Sequence, residues 1–211
     1  MNSIEEIKKR ILEDDEFVLA EAQKILYLYT LKHTIRYGQS RQADDYTESV
    51  AEHIYGMHVI SDYFLPLKHT NDTLDQHRIK QLISWHELGE IETGDIPNVI
   101  KTHADRIREA ELLPTIVKQT PTHIQTHIQE VVTEYEEQTS AESKFVKAID
   151  KIEPLIHSLH PLGKVAQQEL KLSVESSISA KTNYIMSYPT IQRFSDVLHE
   201  YMHKEGYFFQ N

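Results

Sequence analysis

Ile83-Ser84-Trp85-His86-Glu87-Leu88-Gly89-Glu90 ends a helical pattern that begins near Leu74, and it sets an imidazole directly beside a carboxylate. That pair suits borderline and hard divalent ions such as Mn, Fe, Co or Zn. Glu90 lies four residues beyond His86, so on a continuous helix it projects from the same face. A non-ligating acid/base beside water activated by the ion would sit there. Helix C-termini also accumulate partial negative charge, which favours a nearby cation. A solvated helix end would show the same residues, so the assignment turns on an isolated His53 upstream and an Asp150 downstream.

Working outward from this segment, the periodicity is helical almost throughout. Ser3-Ile4-Glu5-Glu6 and Ser49-Val50-Ala51-Glu52 both read as capping boxes that open helices. A helix from about Glu16 to His33 carries an apolar stripe of Val18, Ala22, Ile25, Leu26 and Tyr29. Tyr37 to Glu48 is polar and aperiodic and reads as a loop. The helix begun at Ser49 carries His53, Met57, Ile60 and Phe64 before Pro66. The Leu74–Glu90 helix stops at Thr93-Gly94-Asp95-Ile96-Pro97. Further helices are expected over Ala104–Lys118, Pro121–Glu137, Ala141 to about His160, Gly163–Met186 and Pro189–Lys204. No stretch alternates over a strand's length, and no repeat of domain-building size occurs. The expected fold is all-α, a helical bundle in one domain over residues 1–211, with helices 163–211 closing the bundle or forming a dimer contact.

Composition narrows the function. Lys and Arg number 22 against 33 Asp and Glu, a formal charge of −11. A protein that tracks a phosphate backbone carries the opposite field, so a nucleic-acid polymer is not the expected ligand. A small anion remains compatible where a metal and a few basic side chains reverse the potential locally. The chain has no Cys, which excludes disulfides and thiol chemistry. Met1 to Asp15 is charged throughout, and no 18-residue apolar run exists. A soluble, cytoplasmic protein without a membrane partner is expected.

His53 lies one turn inside its helix beside Ile54 and Met57, a setting shared by ligands and by hydrogen-bonded structural histidines. Asp150 interrupts the core-like Phe145-Val146-Lys147-Ala148-Ile149 and needs a partner if buried. Pro154 removes the N–H that would bond the Asp150 carbonyl, so the helix is expected to distort there. Two histidines and two carboxylates from three helices would leave room for water or substrate on a six-coordinate ion, the arrangement that metal-assisted hydrolysis uses. His123 and His127 have i, i+4 spacing that could hold a second ion. Ile124, Ile128 and Val131 occupy the apolar face of that helix, which turns both histidines toward solvent.

Four ordered stretches resemble the HD phosphohydrolase superfamily, specifically its 5′-deoxynucleotidase branch. They are Leu31-Lys32-His33-Thr34-Ile35-Arg36-Tyr37-Gly38, Glu48-Ser49-Val50-Ala51-Glu52-His53, His86-Glu87-Leu88-Gly89-Glu90 followed by Thr93-Gly94-Asp95-Ile96-Pro97, and Ser140 to Lys151. With their spacers they cover residues 22–160. The resemblance implies one divalent metal ion (Co, Mn, Fe, Ni or Zn) held by His53, His86, Glu87 and Asp150. It implies hydrolysis of deoxynucleoside 5′-monophosphates, usually by a homodimer. Arg36 matches the phosphate-binding arginine, Tyr37 a position that bears on the sugar, Glu90 the acid/base and Asp95 a partner of the 3′-hydroxyl. Lys147, three residues before Asp150, could neutralise phosphate or form an ordinary ion pair. The family has His-Asp where this chain has His86-Glu87, and the longer side chain must bend back or shift the ion by about an ångström, enough to slow chemistry on the order of a hundredfold. An HD phosphohydrolase of other small-molecule specificity, or a metal- or nucleotide-binding protein without turnover, therefore stand as alternatives.

Overall fold

The Ile35–Ser49 bridge ties the start of the site to the bundle: Arg36 N–H donates to the Glu48 carbonyl at 3.1 Å and Val50 N–H to the Thr34 carbonyl at 2.9 Å. The computed structural model describes residues 4–36, 48–67, 73–96 and 101–209. Among them no β-strand occurs beyond this isolated bridge. The helices are α1 (Ile4–Glu13), α2 (Asp15–Leu28), α3 (Val50–Phe64), α4 (Gln76–Trp85), α5 (Glu90–Thr93), α6 (His103–Lys118), α7 (Gln125–Glu137), α8 (Ala141–His157), α9 (Pro161–Glu169), α10 (Val174–Ile185) and α11 (Pro189–Lys204). The fold is all-α, as expected. No helix among the described residues is long and apolar enough to cross a membrane.

Helix α8 is the hub, packing against α3, α4, α7, α10 and α11. Its Phe145, Ile149 and Ile152 are fully buried in one apolar cluster with Met57, Phe64, Leu82 and Ile83. Burying each such side chain contributes about 1.5–3 kcal/mol relative to exposure. The C-terminal helices close the bundle by adding Ile185, Ile191 and Met202 to the same cluster. Capping boxes at Ser49, Thr102 and Ser140 open α3, α6 and α8. The Ser3 box, Tyr37 and most of the Tyr37–Glu48 loop lie outside the described residues.

Four sequence expectations need correction. The Leu74–Glu90 helix stops at Trp85. The chain tightens through Leu88 N–H to Trp85 carbonyl (3.1 Å) and Glu90 N–H to Glu87 carbonyl (3.1 Å) before α5 begins. Glu90 therefore does not share a helix face with His86. The expected Gly163–Met186 helix is two helices: Lys171 takes a left-handed φ of 51°, and Ser173 caps α10 by accepting from Ser176 N–H. The third is the α2 stripe, whose Val18, Ile25 and Leu26 are 39%, 44% and 57% exposed, because α2 packs on α1 and on the short turn Tyr29–Lys32 and meets the core only through Tyr27 and Leu28 at its end. Lastly, α8 runs through Pro154 to His157 rather than reaching His160.

Candidate metal centre

Three elements bring the ligand candidates together: His53 from α3, His86 and Glu87 from the turn after α4, and Asp150 from α8. One donor atom from each lies within 4.8 Å of all the others. His86 Nε2 stands 3.2 Å from Glu87 Oε1, and His53 Nε2 stands 3.5 Å from Asp150 Oδ1 and 3.9 Å from Glu87 Oε1. Donors about 2.1 Å from a shared ion stand about 3.0 Å apart when adjacent in an octahedron and about 3.4 Å apart in a tetrahedron. The separations of 3.2 and 3.5 Å lie close to that range, and no two of the four donors are more than 4.8 Å apart.

The chemistry of the donors fits as well. Both Nε2 atoms are buried without a hydrogen-bond partner, a state that costs on the order of 1–3 kcal/mol each unless something fills it. The opposite nitrogens are fixed. His86 Nδ1–H donates to the Ile83 carbonyl at 2.8 Å, and His53 Nδ1–H donates to Glu153 Oε2 at 2.8 Å. Such outer partners orient a ligating ring and fix its tautomer. Asp150 Oδ2 is committed to the Tyr135 hydroxyl at 3.0 Å and to Lys151 Nζ at 2.7 Å, which leaves Oδ1 toward the cluster.

The charges match this picture. Burial and the Arg36 guanidinium both oppose a charged His53, yet the Asp150 and Glu153 carboxylates outweigh them and raise its pKa to about 9. Burial opposes ionisation of Asp150 too, but Lys151, His53 and Lys147 hold it well below the usual carboxylate range. Glu87 is likewise held low, by the His86 and His53 rings against burial. Glu90 goes the other way: burial, then the Glu87 and Asp95 carboxylates, push it well above the usual range.

His86, Glu87, Glu90 and Asp150 border a cavity of about 480 Å³, lined also by Arg36, Asp95 and Lys147, within the range of about 300–1,000 Å³ typical of small-molecule sites. Arg36 is buried and its Nη1 donates to Glu48 Oε1 at 2.7 Å and Glu153 Oε2 at 3.3 Å. Glu48, Glu153 and His157 form a second ligand-like group, but the Arg36 guanidinium already fills its cation position. His123 is exposed and His127 half-buried, and neither joins a ligand group among the described residues. Tyr37 lies outside the described residues.

Sequence reasoning missed Tyr135, Lys151 and above all Glu153. The signal for Glu153 is a glutamate one turn after Asp150 in an apolar helix, paired with a glycine one turn after His53. A Cβ at Gly56 would stand 2.9 Å from Glu153 Oε1, so the glycine makes room for that carboxylate. Gly56→Ala should stabilise α3 by about 1 kcal/mol through helix propensity, since the displaced atom ends a flexible side chain. The shifted carboxylate releases His53, and metal affinity should fall about tenfold. Thermal unfolding and metal titration of the stripped protein read the two effects separately, and unchanged metal affinity would refute the link.

A family model of the HD domain matches residues 28–192. The human 5′-deoxynucleotidase HDDC2 is 34% identical over 114 residues, 53% of this chain and 53% of that protein. The fission yeast 5′-deoxynucleotidase hdd1 is 28% identical over 183 residues, 82% of this chain and 86% of its own length. The chain spans about half the length of the human and bovine relatives it matches. Among solved structures, a protein described as a predicted metal-dependent phosphohydrolase from Magnetospirillum magnetotacticum superposes with a TM-score of 0.75 at 16% identity, over 92% of this chain and 98% of that one. An HD-domain phosphohydrolase from Listeria innocua gives 0.57 at 18% identity, over 87% of this chain and 86% of that one. These two likenesses bear on the fold. With the match over residues 28–192 and the His53, His86, Glu87 and Asp150 cluster inside it, the chain belongs to the HD domain family.

Proposed function

We propose that this chain is a metal-dependent phosphomonoesterase that releases phosphate from nucleoside 5′-monophosphates, with deoxynucleotides preferred. The observation that carries the reading is the donor group of His53, His86, Glu87 and Asp150, with His86, Glu87 and Asp150 on one cavity beside the buried Glu90. The curated 5′-deoxynucleotidases among its relatives support the substrate class. Bound there, a divalent ion (Co, Mn, Fe, Ni or Zn) would supply Lewis acidity and bring water into nucleophilic form near neutral pH.

The chain's own groups would do the rest. Glu90, held protonated, would give its proton to the departing 5′ oxygen and accept one from the attacking water. Arg36 and Lys147 would bind phosphate oxygens, Asp95 would accept from the sugar 3′-hydroxyl, and Tyr37 would bear on the sugar. The protein would act as one HD-like domain over 1–211, in the cytoplasm and without a nucleic-acid or membrane partner. It would form a homodimer that covers exposed apolar residues such as Leu26, Val59 and Tyr63, a state that light scattering reads as twice the chain mass. A phosphate-release screen of ribo- and deoxynucleoside monophosphates across these metals tests the reading; no release from any pair would overturn it.

Glu87 already reaches the cluster, at 3.2 Å from His86 Nε2. Glu87→Asp should shorten that reach by about an ångström, so metal affinity should fall about tenfold and kcat on the order of a hundredfold. Metal titration and steady-state rates check this. A gain in either would mean that the glutamate misplaces the ion.

A further inference from the structure

Lys147 and Lys151 on α8 and Lys181 on α10 line the cavity beside Asp150. One carboxylate, Asp150, lies within ion-pair distance of two of them. Lys151 Nζ is 2.7 Å from Asp150 Oδ2 and Lys147 Nζ is 4.0 Å from the same oxygen. Lys147 also lies over the Tyr135 ring, 4.2 Å from its centroid. Lys181 donates only within its own helix, to the Ser177 carbonyl at 3.2 Å and the Ser177 hydroxyl at 3.0 Å. Among the described residues no carboxylate comes within ion-pair distance of it.

The contrast with Arg36 decides where positive charge is in excess. That guanidinium is shared between Glu48 and Glu153, carboxylates that also face His157 and His53. Around Asp150 three lysines gather; the Glu87 and Glu136 carboxylates also act on Lys147, whereas Lys181 has no carboxylate within ion-pair distance among the described residues. In a chain with a net charge of −11, amines gathered on a cavity wall without counter-charges cost free energy unless an anion joins them. Burial and the charge of Lys151 pull Lys181 down to about 8.

We propose that α10 completes the phosphate-receiving wall of this cavity, with Lys181 binding non-bridging phosphate oxygens together with Lys151 and Lys147. This rests on the phosphomonoesterase reading and adds to it a residue from the C-terminal third, which carries no sequence motif. An amine without a carboxylate of its own, beside two further lysines, fits a dianionic monoester, or the inorganic phosphate it releases, better than a monoanionic diester. Lys181 is thus a determinant of substrate class as well as of affinity.

Inorganic phosphate is the probe, titrated calorimetrically into the metal-loaded wild-type protein and into Lys181→Met and Lys181→Arg variants. Loss of a charge-assisted contact should weaken phosphate binding by about tenfold or more in Lys181→Met. KM for a nucleoside monophosphate should rise by a similar factor, with kcat changed less and metal content retained. Lys181→Arg should recover most of the affinity. Undiminished phosphate affinity in a folded Lys181→Met protein overturns the proposal. Should that variant not fold, the wild-type protein decides: phosphate must protect Lys181 from reductive methylation, read by peptide mass spectrometry, and equal labelling with and without phosphate overturns the proposal. If the wild-type protein hydrolyses no nucleotide yet binds phosphate through Lys181, the substrate reading fails and this inference stands. Hydrolysis with Lys181 indifferent to phosphate has the reverse meaning.

Discussion

His86→Ala should leave the chain without its metal and without measurable turnover. The imidazole is held by its Nδ1–H bond to the Ile83 carbonyl, and its buried Nε2 has no partner but a ligand. Deleting it removes one donor of four and also strips Glu87 of the ring that holds its carboxylate in the charged form. Elemental analysis should find about one divalent ion per wild-type chain and almost none in the variant. Activity should drop by three orders of magnitude or more, since the ion's share of transition-state stabilisation is several kcal/mol. The metal-dependent increment in Tm should vanish too, because an ion that binds only the folded state stabilises it by mass action. Full occupancy after the substitution would remove the basis of the whole reading.

Glu90→Gln should separate metal binding from chemistry. Glu90 neighbours the donor set without belonging to it, and its Oε2 is buried without a hydrogen-bond partner. Burial, with Glu87 and Asp95 beside it, keeps its proton on where an exposed glutamate has lost it. An ion bound to Glu87 relieves part of that push. The amide keeps the shape and cannot transfer the proton. The expected result is a fall in kcat of about 10²–10⁴, with metal content and KM close to wild type. A step that needs the protonated form slows as pH rises through the raised pKa, so the alkaline limb of the kcat profile should be present in the wild type and absent from the variant. Equal loss of metal would instead make Glu90 a ligand.

The ligand set was legible because ligation chemistry restricts residue types. His53, His86, Glu87 and Asp150 were candidates on type and order, and the fold brings their donors within 4.8 Å. Their supports were harder to read. Glu153 takes its meaning from Gly56, almost a hundred positions away, and Tyr135 from Asp150 across the α7–α8 packing. Arg36 was legible as a cation, but its sharing between Glu48 and Glu153 was not.

The sequence by itself determined the helical class, the capping box at Ser49, and the residue types able to hold an ion. These depend on periodicity, on caps made within four residues and on side-chain chemistry, all of which are local. Tertiary structure alone decided that Glu90 reaches the site through a tightened turn rather than along a helix face. It also decided that the α2 stripe stays uncovered in a single chain, and that Lys181 from a motif-free helix stands beside Asp150. Each of these depends on which surfaces meet, and packing on the α8 hub sets that between residues far apart in the chain.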